Sequence, residues 1–97
     1  MYVKDLTPNK KVDEIVLIID ELEEERTFLT RWGAEGRVRN GVAHDENGDK
    51  VKVAFWNDEI DRVDVGSRIR ITNGYAKMWN GEMQISAGRY GHLSVEE

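Results

Sequence analysis

The most restrictive signal in the chain is the dipeptide Asn80-Gly81, at the centre of Gly74–Gly91 (GYAKMWNGEMQISAGRYG). A type I′ turn needs positive φ at both central positions, and Asn-Gly meets that need at least cost. Two antiparallel strands are therefore predicted to meet there. On the first, Tyr75, Lys77 and Trp79 recur at every second residue and share one face. On the second, Met83 and Ile85 alternate with Gln84 and Ser86. Two aromatics beside a lysine suit neither a solvated surface nor a core. They suit a surface that stacks planar groups and attracts anions.

Upstream, Lys4–Lys11 reads as a lead-in loop around Thr7-Pro8-Asn9. Val12–Glu21 follows as the first strand. Its centre, Ile15–Ile19, is continuously apolar and mostly β-branched, which fits a strand buried on both faces, although periodicity alone leaves a short buried helix open. Glu23-Glu24-Glu25 is an acidic bend, and Arg26–Thr30 continues the strand beyond it. Arg31–Gly36 (RWGAEG) is a turn, and Arg37–Asp45 is the second strand. Val38 and Val42 share one face of that strand. Arg37, Arg39, Gly41 and Ala43 share the other, where they read as an open cationic floor, with Gly41 marking a curl in the sheet. Asp45–Lys50 holds Asn47-Gly48, a second hairpin turn.

Val51–Trp56 is the third strand, with Val51, Val53 and Phe55 inward and Lys52 and Trp56 outward, on the same sheet as Arg37 and Arg39. Trp56 covering the edge of the core is the competing reading. Asn57 or Asp58 caps a short helix reaching about Val63, with Ile60 and Val63 on one side. Arg68–Thr72 resumes a strand, with Ile69 and Ile71 inward. Strict alternation from Ile71 would bury Tyr75 and Trp79. A one-residue bulge at Asn73-Gly74 reverses the phase, sending Tyr75, Lys77 and Trp79 out and Ala76 and Met78 in. The bulge is preferred, because burying an unpaired Lys77 between aromatics costs several kcal/mol. Tyr90, between glycines, is expected to close the structure rather than to stack on a ligand.

The sum is an all-β chain of five strands with one short helix between strands 3 and 4, and hairpins joining strands 2–3 and 4–5. That order is the plan of the OB-fold, a five-stranded Greek-key barrel that binds oligonucleotides or oligosaccharides across its strands. A length of 97 residues suits one such domain.

Charge decides how far an oligonucleotide is a plausible ligand. The net charge of −5 counts against a polyanion if averaged, but the charges are segregated. Residues 1–25 carry 3 basic and 8 acidic side chains, and residues 44–65 carry 3 and 7. Residues 26–43 and 66–92 each carry 4 basic and 1 acidic. Binding is expected to be weaker and more salt-sensitive than for a basic protein. With no cysteine there is no disulfide or thiolate metal site. His44 and His92 have no partner at metal spacing, and there is no Gly-rich phosphate loop and no nucleophile–histidine pair. No catalytic residue, metal, cofactor or small-molecule substrate is expected. No apolar run approaches a membrane span, and the start lacks a signal-peptide core, so a cytoplasmic protein is expected.

Four stretches also carry a likeness to a known family: DLTPNKKV, DENGDKVKVAFWND, VGSRIRITNGYA and GEMQISAGRYGHL. The chain resembles the archaeal single-stranded DNA-binding proteins with one OB domain, the OB domains of archaeal replication protein A, and the OB-fold component of the SOSS complex. The resemblance implies binding of single-stranded DNA in replication, recombination and repair, with possible replication or repair proteins as partners. It places the family's stacking aromatics on Trp56, Tyr75 and Trp79, which alternation also selects. A further platform of some relatives falls on Ser86, and Trp32, in the loop before the second strand, is the candidate to replace it. Arg31, Arg37, Arg39, Lys52, Lys77 and Arg89 are the candidates to track phosphates. Little sequence preference is expected. No residue is placed to read a 2′-hydroxyl, so single-stranded RNA stays open as a ligand. Relatives often carry tails or several OB domains in series, so residues 1–97 are expected to be one OB domain, alone or within a longer protein. The rival function is a protein-interaction module that docks through the acidic segments 13–25 and 57–64.

Overall fold

A computed structural model of the protein describes residues 1–88 and 90–96. Seven strands run in chain order: β1 (Lys10–Leu22), β2 (Arg26–Leu29), β3 (Glu35–His44), β4 (Lys50–Trp56), β5 (Arg68–Trp79), β6 (Glu82–Ser86) and β7 (His92–Glu96). Five close into a ring in the order β1-β3-β4-β6-β5, and β1 returns to β5. The β4–β6 pair is parallel and the others are antiparallel, which gives the Greek-key crossing expected of an OB barrel. A 3₁₀ segment, Asn57–Arg62, stands where the short helix was expected. Its Ile60 and the adjoining Val63 are buried against one end of the barrel.

The long first strand serves two neighbours. It pairs with β5 from Lys10 to Ile18 and with β3 from Ile18 to Leu22. To turn from one to the other it slips register between Ile19 and Glu21, opposite Val42 and Ala43. Gly41 permits the close approach there, since a Cβ on it would lie 2.6 Å from the Glu21 carbonyl oxygen. Inside, Val12, Ile15, Leu17 and Ile19 of β1 meet Val53 and Phe55 of β4, Ile69 and Ile71 of β5, Ile85 of β6 and Leu93 of β7.

The Asn80-Gly81 turn has φ of 50° and 80°, as a type I′ turn requires. The phase of β5 reverses at Asn73, whose φ is 52°. Ile69 and Ile71 are buried before it, and Gly74 and Ala76 after it. The device differs from a one-sided bulge. β1 changes phase at the same level, so pairing resumes in unchanged register on either side of an unpaired Asp13 and Asn73. Tyr75, Lys77 and Trp79 therefore face out, as expected. Met78 was expected inside and is half exposed, because β5 and β6 run past the end of the barrel there.

Two strands escape the sequence reading. Arg26–Leu29 does not continue β1 but turns back as β2, pairing Arg26 with Val38 and Phe28 with Gly36. His92–Glu96 forms β7 on the outer edge of β5. No helix among the described residues is long and apolar enough to cross a membrane.

Candidate nucleic-acid interface

The outward face can be read row by row from strand register. Tyr75 lies beside Ser86, and Lys77 beside Gln84, which in turn lies beside Lys52. Trp56 lies beside Val38, and Val38 beside Arg26. Arg26, Val38, Asn40, Trp56, Lys77, Trp79 and Gln84 enclose one shallow recess of about 130 Å³. Two larger hollows adjoin it. One, of about 610 Å³, shares Lys77 and runs past Tyr75, Ser86 and Tyr90 to Lys11. The other, of about 560 Å³, shares Trp56 and Ser86 and ends at Asp58 and Glu59. Together they form a groove along β4, β6 and β5. A separate hollow of about 320 Å³ lies on the β1 side, lined by Val16, Ile18, His44 and Arg68, and has no aromatic lining.

The aromatics of the groove are open to solvent. Trp56 is 39% exposed, Tyr75 43% and Trp79 59%. Trp56 ends β4, where its N–H donates to Glu59 Oε1 at 3.0 Å, and Asn57 then turns with φ of 54°. Neither Asn57 nor Asp58 caps the segment, as had been expected. Asn57 instead fastens the end of β4 to β3, accepting the Arg37 N–H at 3.0 Å. The Trp56 ring meets Phe28 edge to face, with centroids 5.8 Å apart and planes at 83°. Phe28 lies across Gly36 so closely that a Cβ there would come within 2.4 Å of its ring. Phe28 was missed in the sequence because β2 was read as an extension of β1. The Phe28–Gly36 rung was the available sign of a ring needing room. Lys77 holds its ammonium 5.5 Å over the Trp79 ring, a cation–π contact that leaves its charge on the face.

The expected cationic floor needs correcting. Arg37 and Arg39 alternate with Val38 and Asn40, and it is Val38 that lies beside Trp56. The two arginines thus point to the opposite side of the sheet, the side on which Gly41 and Ala43 are buried. There Arg37 binds Glu25 at 2.8 Å and Asp61 at 2.8 Å, and Arg39 donates to the Glu23 carbonyl at 2.6 Å. Hydrogen bonding to Asp61 raises the Arg37 pKa further above its usual value, and the same bond holds the Asp61 carboxyl below the usual range. Lys52 does face the groove, but its ammonium is 2.7 Å from Glu82, whose hydrogen bond raises its pKa.

Trp32 and Arg31 sit in the turn between β2 and β3, with Trp32 85% exposed. The turn projects beyond the Trp56 end of the groove. Tyr90 does not close the barrel; it is exposed and lines the groove with Tyr75. Arg89 lies outside the described residues. Ser86 lies at the junction of the two larger hollows, where a small side chain keeps them continuous.

A Greek-key ring of five strands, plugged at one end and displaying aromatics across its β4–β6–β5 face, defines an OB-fold domain. Over residues 6–95 the chain matches, and belongs to, the family described as single-stranded DNA binding protein Ssb-like, OB fold. Among solved structures it is similar to the second OB-fold domain of replication protein A from Methanococcus maripaludis, at 20% identity and a TM-score of 0.79 over 100% of this chain and 94% of that one. It is similar to the replication factor A related protein from Methanobacterium thermoautotrophicum, at 19% identity and a TM-score of 0.80 over 100% and 90%. It also matches part of a replication protein A heterotrimer bound to single-stranded DNA, at 14% identity and a TM-score of 0.72 over 98% of this chain and 24% of that one. At these identities the likeness is one of fold.

Proposed function

We propose that the chain is a binding module, not a catalyst, that holds single-stranded DNA in the groove along β4, β6 and β5 during replication, recombination or repair in the cytoplasm. The observation that carries the reading is the exposure of Trp56, Tyr75 and Trp79 along that groove with the Lys77 ammonium among them. Base faces are apolar and planar in every sequence, so stacking at roughly 1–3 kcal/mol per base gives affinity with little sequence preference. Lys77, Arg26 and Lys52 flank the rings and track phosphates. Trp32 and Arg31 extend the track at the hairpin tip, Ser86 keeps its middle open, and Arg37 and Arg39 serve the fold. RNA offers the same stacking faces, and replication or repair proteins are the partners such a module would meet.

The test is a titration of labelled oligo-dT read by fluorescence anisotropy at low salt. Trp56→Ala and Trp79→Ala should each weaken binding by at least about 1 kcal/mol, roughly fivefold, with melting unchanged. Absence of binding at micromolar protein would overturn the proposal in favour of a protein-docking module. Unfolding of both variants would show that the rings serve the core.

A further inference from the structure

The loop joining β6 to β7 carries a ring that has no part in the core. Tyr90 is 81% exposed, yet its backbone is pinned. Asn73 Nδ2 donates to the Tyr90 carbonyl at 3.3 Å. The next residue, Gly91, is packed so tightly that a Cβ on it would lie 1.9 Å from the Ala87 carbonyl oxygen and 2.7 Å from that of Asn73. Two residues before Tyr90, Gly88 turns with φ of 69°, and a Cβ there would lie 4.0 Å from Tyr75 Cβ. The loop therefore passes beside Tyr75. Asn73 serves both rings, since its positive φ turns Tyr75 outward and its side chain holds Tyr90. A tyrosine that secured such a loop by packing would bury its ring. Here backbone contacts hold the loop and the ring stands in water, as a ring kept for a ligand would.

Tyr90 and Tyr75 line one hollow of about 610 Å³, together with Ser86, Lys11 and Lys77. Phe28 and Trp56 are the aromatic pair in contact among the described residues, so the two tyrosines share the hollow without closing on each other. Ser86, the cross-strand neighbour of Tyr75, is too small to obstruct the space. A platform on an open sheet covers one face of a base, whereas rings on two sides of a hollow can cover both. Phosphates flanking that base would meet Lys11 and Lys77. Trp32 lies beyond the other end of the groove and does not line this hollow. We propose that Tyr90 is a further stacking platform, bracketing a base of the bound strand against Tyr75. This rests on the single-strand reading above.

The experiment is the oligo-dT titration by fluorescence anisotropy at fixed salt, run on Tyr90 variants. Tyr90→Ala should weaken binding roughly fivefold or more with melting unchanged, and Tyr90→Phe, which keeps the flat ring, should bind as the wild type does. Because both rings hold one base, Tyr75→Ala with Tyr90→Ala should lose less than the product of the two single losses. If the alanine protein fails to fold, Tyr90→Leu carries the test: it keeps apolar bulk without a flat face and should show the same weakening. Undiminished affinity in Tyr90→Ala, an equal loss in Tyr90→Phe, or losses that multiply in the double variant overturn the inference. Trp56→Ala, run alongside, keeps the two readings apart. A loss there with Tyr90→Ala unchanged overturns the bracket and leaves the groove. A wild-type protein that binds no oligo-dT overturns both.

Discussion

Phe28 touches Trp56 edge to face at 5.8 Å, and the consequence for binding can be worked through. If Trp56 stacks on a base, its ring must be held at a fixed angle before the base arrives. The Phe28 edge is what holds it from the β2 side. An aromatic pair of this geometry is worth about 0.5–1.5 kcal/mol beyond its area. Phe28→Ala removes that restraint and leaves Trp56 free to turn, so the affinity for oligo-dT should fall roughly 2- to 12-fold. Phe28 is itself 37% exposed and sits on an edge hairpin, so melting should change far less than for a core residue such as Phe55. The decisive measurement is the double variant. Because Phe28 acts through Trp56, Phe28→Ala with Trp56→Ala should bind no worse than Trp56→Ala alone, as measured by anisotropy at fixed salt. Additive losses would mean that Phe28 meets the strand directly, and an unchanged affinity for Phe28→Ala would mean that Trp56 needs no brace. Either result refutes the reasoning.

Glu82→Gln frees Lys52 and removes a carboxylate from the row of Trp79. Oligo-dT should bind severalfold more tightly at low salt, and the log–log salt slope should steepen by up to about 0.7 as one more cation meets the phosphates; a weaker or unchanged affinity would count against Lys52 as a phosphate contact. Asp45 bears on stability. Burial would raise its pKa, but the N–H donors of Val3, Asp49 and Asn47 outweigh it and hold the carboxyl below its usual value. Its contribution is therefore complete above the unfolded pKa near 3.9 and is lost as pH falls through the lower folded value. Asp45→Asn keeps an acceptor for Asn47 and Asp49 but sets an NH₂ against the Val3 N–H, so it should cost about 1–3 kcal/mol at neutral pH by denaturant melts and flatten the loss below pH 4.

What could be read in advance depended on whether the cause was local. The Asn80-Gly81 turn and the phase reversal before Tyr75 both follow from short-range constraints, steric at the turn and electrostatic at Lys77. The means of reversal was not legible, because β1 shares it from sixty residues away in the chain. Two edge strands were missed for another reason. Arg26–Leu29 and His92–Glu96 bury little and have no long apolar run, so the neighbours they pair with define them. The pairing of Arg37 with Arg39 on one face was read correctly, yet that face was taken to be the ligand's. Charge suggested an outward floor. The outcome was set by Glu25 and Asp61, which the fold brings to Arg37 from other elements.

That misplacement changes how an acidic chain can hold a polyanion. Segregation along the sequence suggested two basic segments ready to meet phosphates and a strong response to salt. In the folded chain the carboxylates find many of those cations first: Arg37 with Glu25 and Asp61, Lys52 with Glu82, Arg70 with Glu14 and Glu96, and Arg68 with Glu96. Lys77, Arg26 and, at the hairpin tip, Arg31 form no ion pair among the described residues, and Lys52 joins them only by giving up Glu82. Three such contacts on a single strand give a log–log salt slope of roughly −2, which is shallow. Affinity must then come mainly from the rings, which salt does not screen.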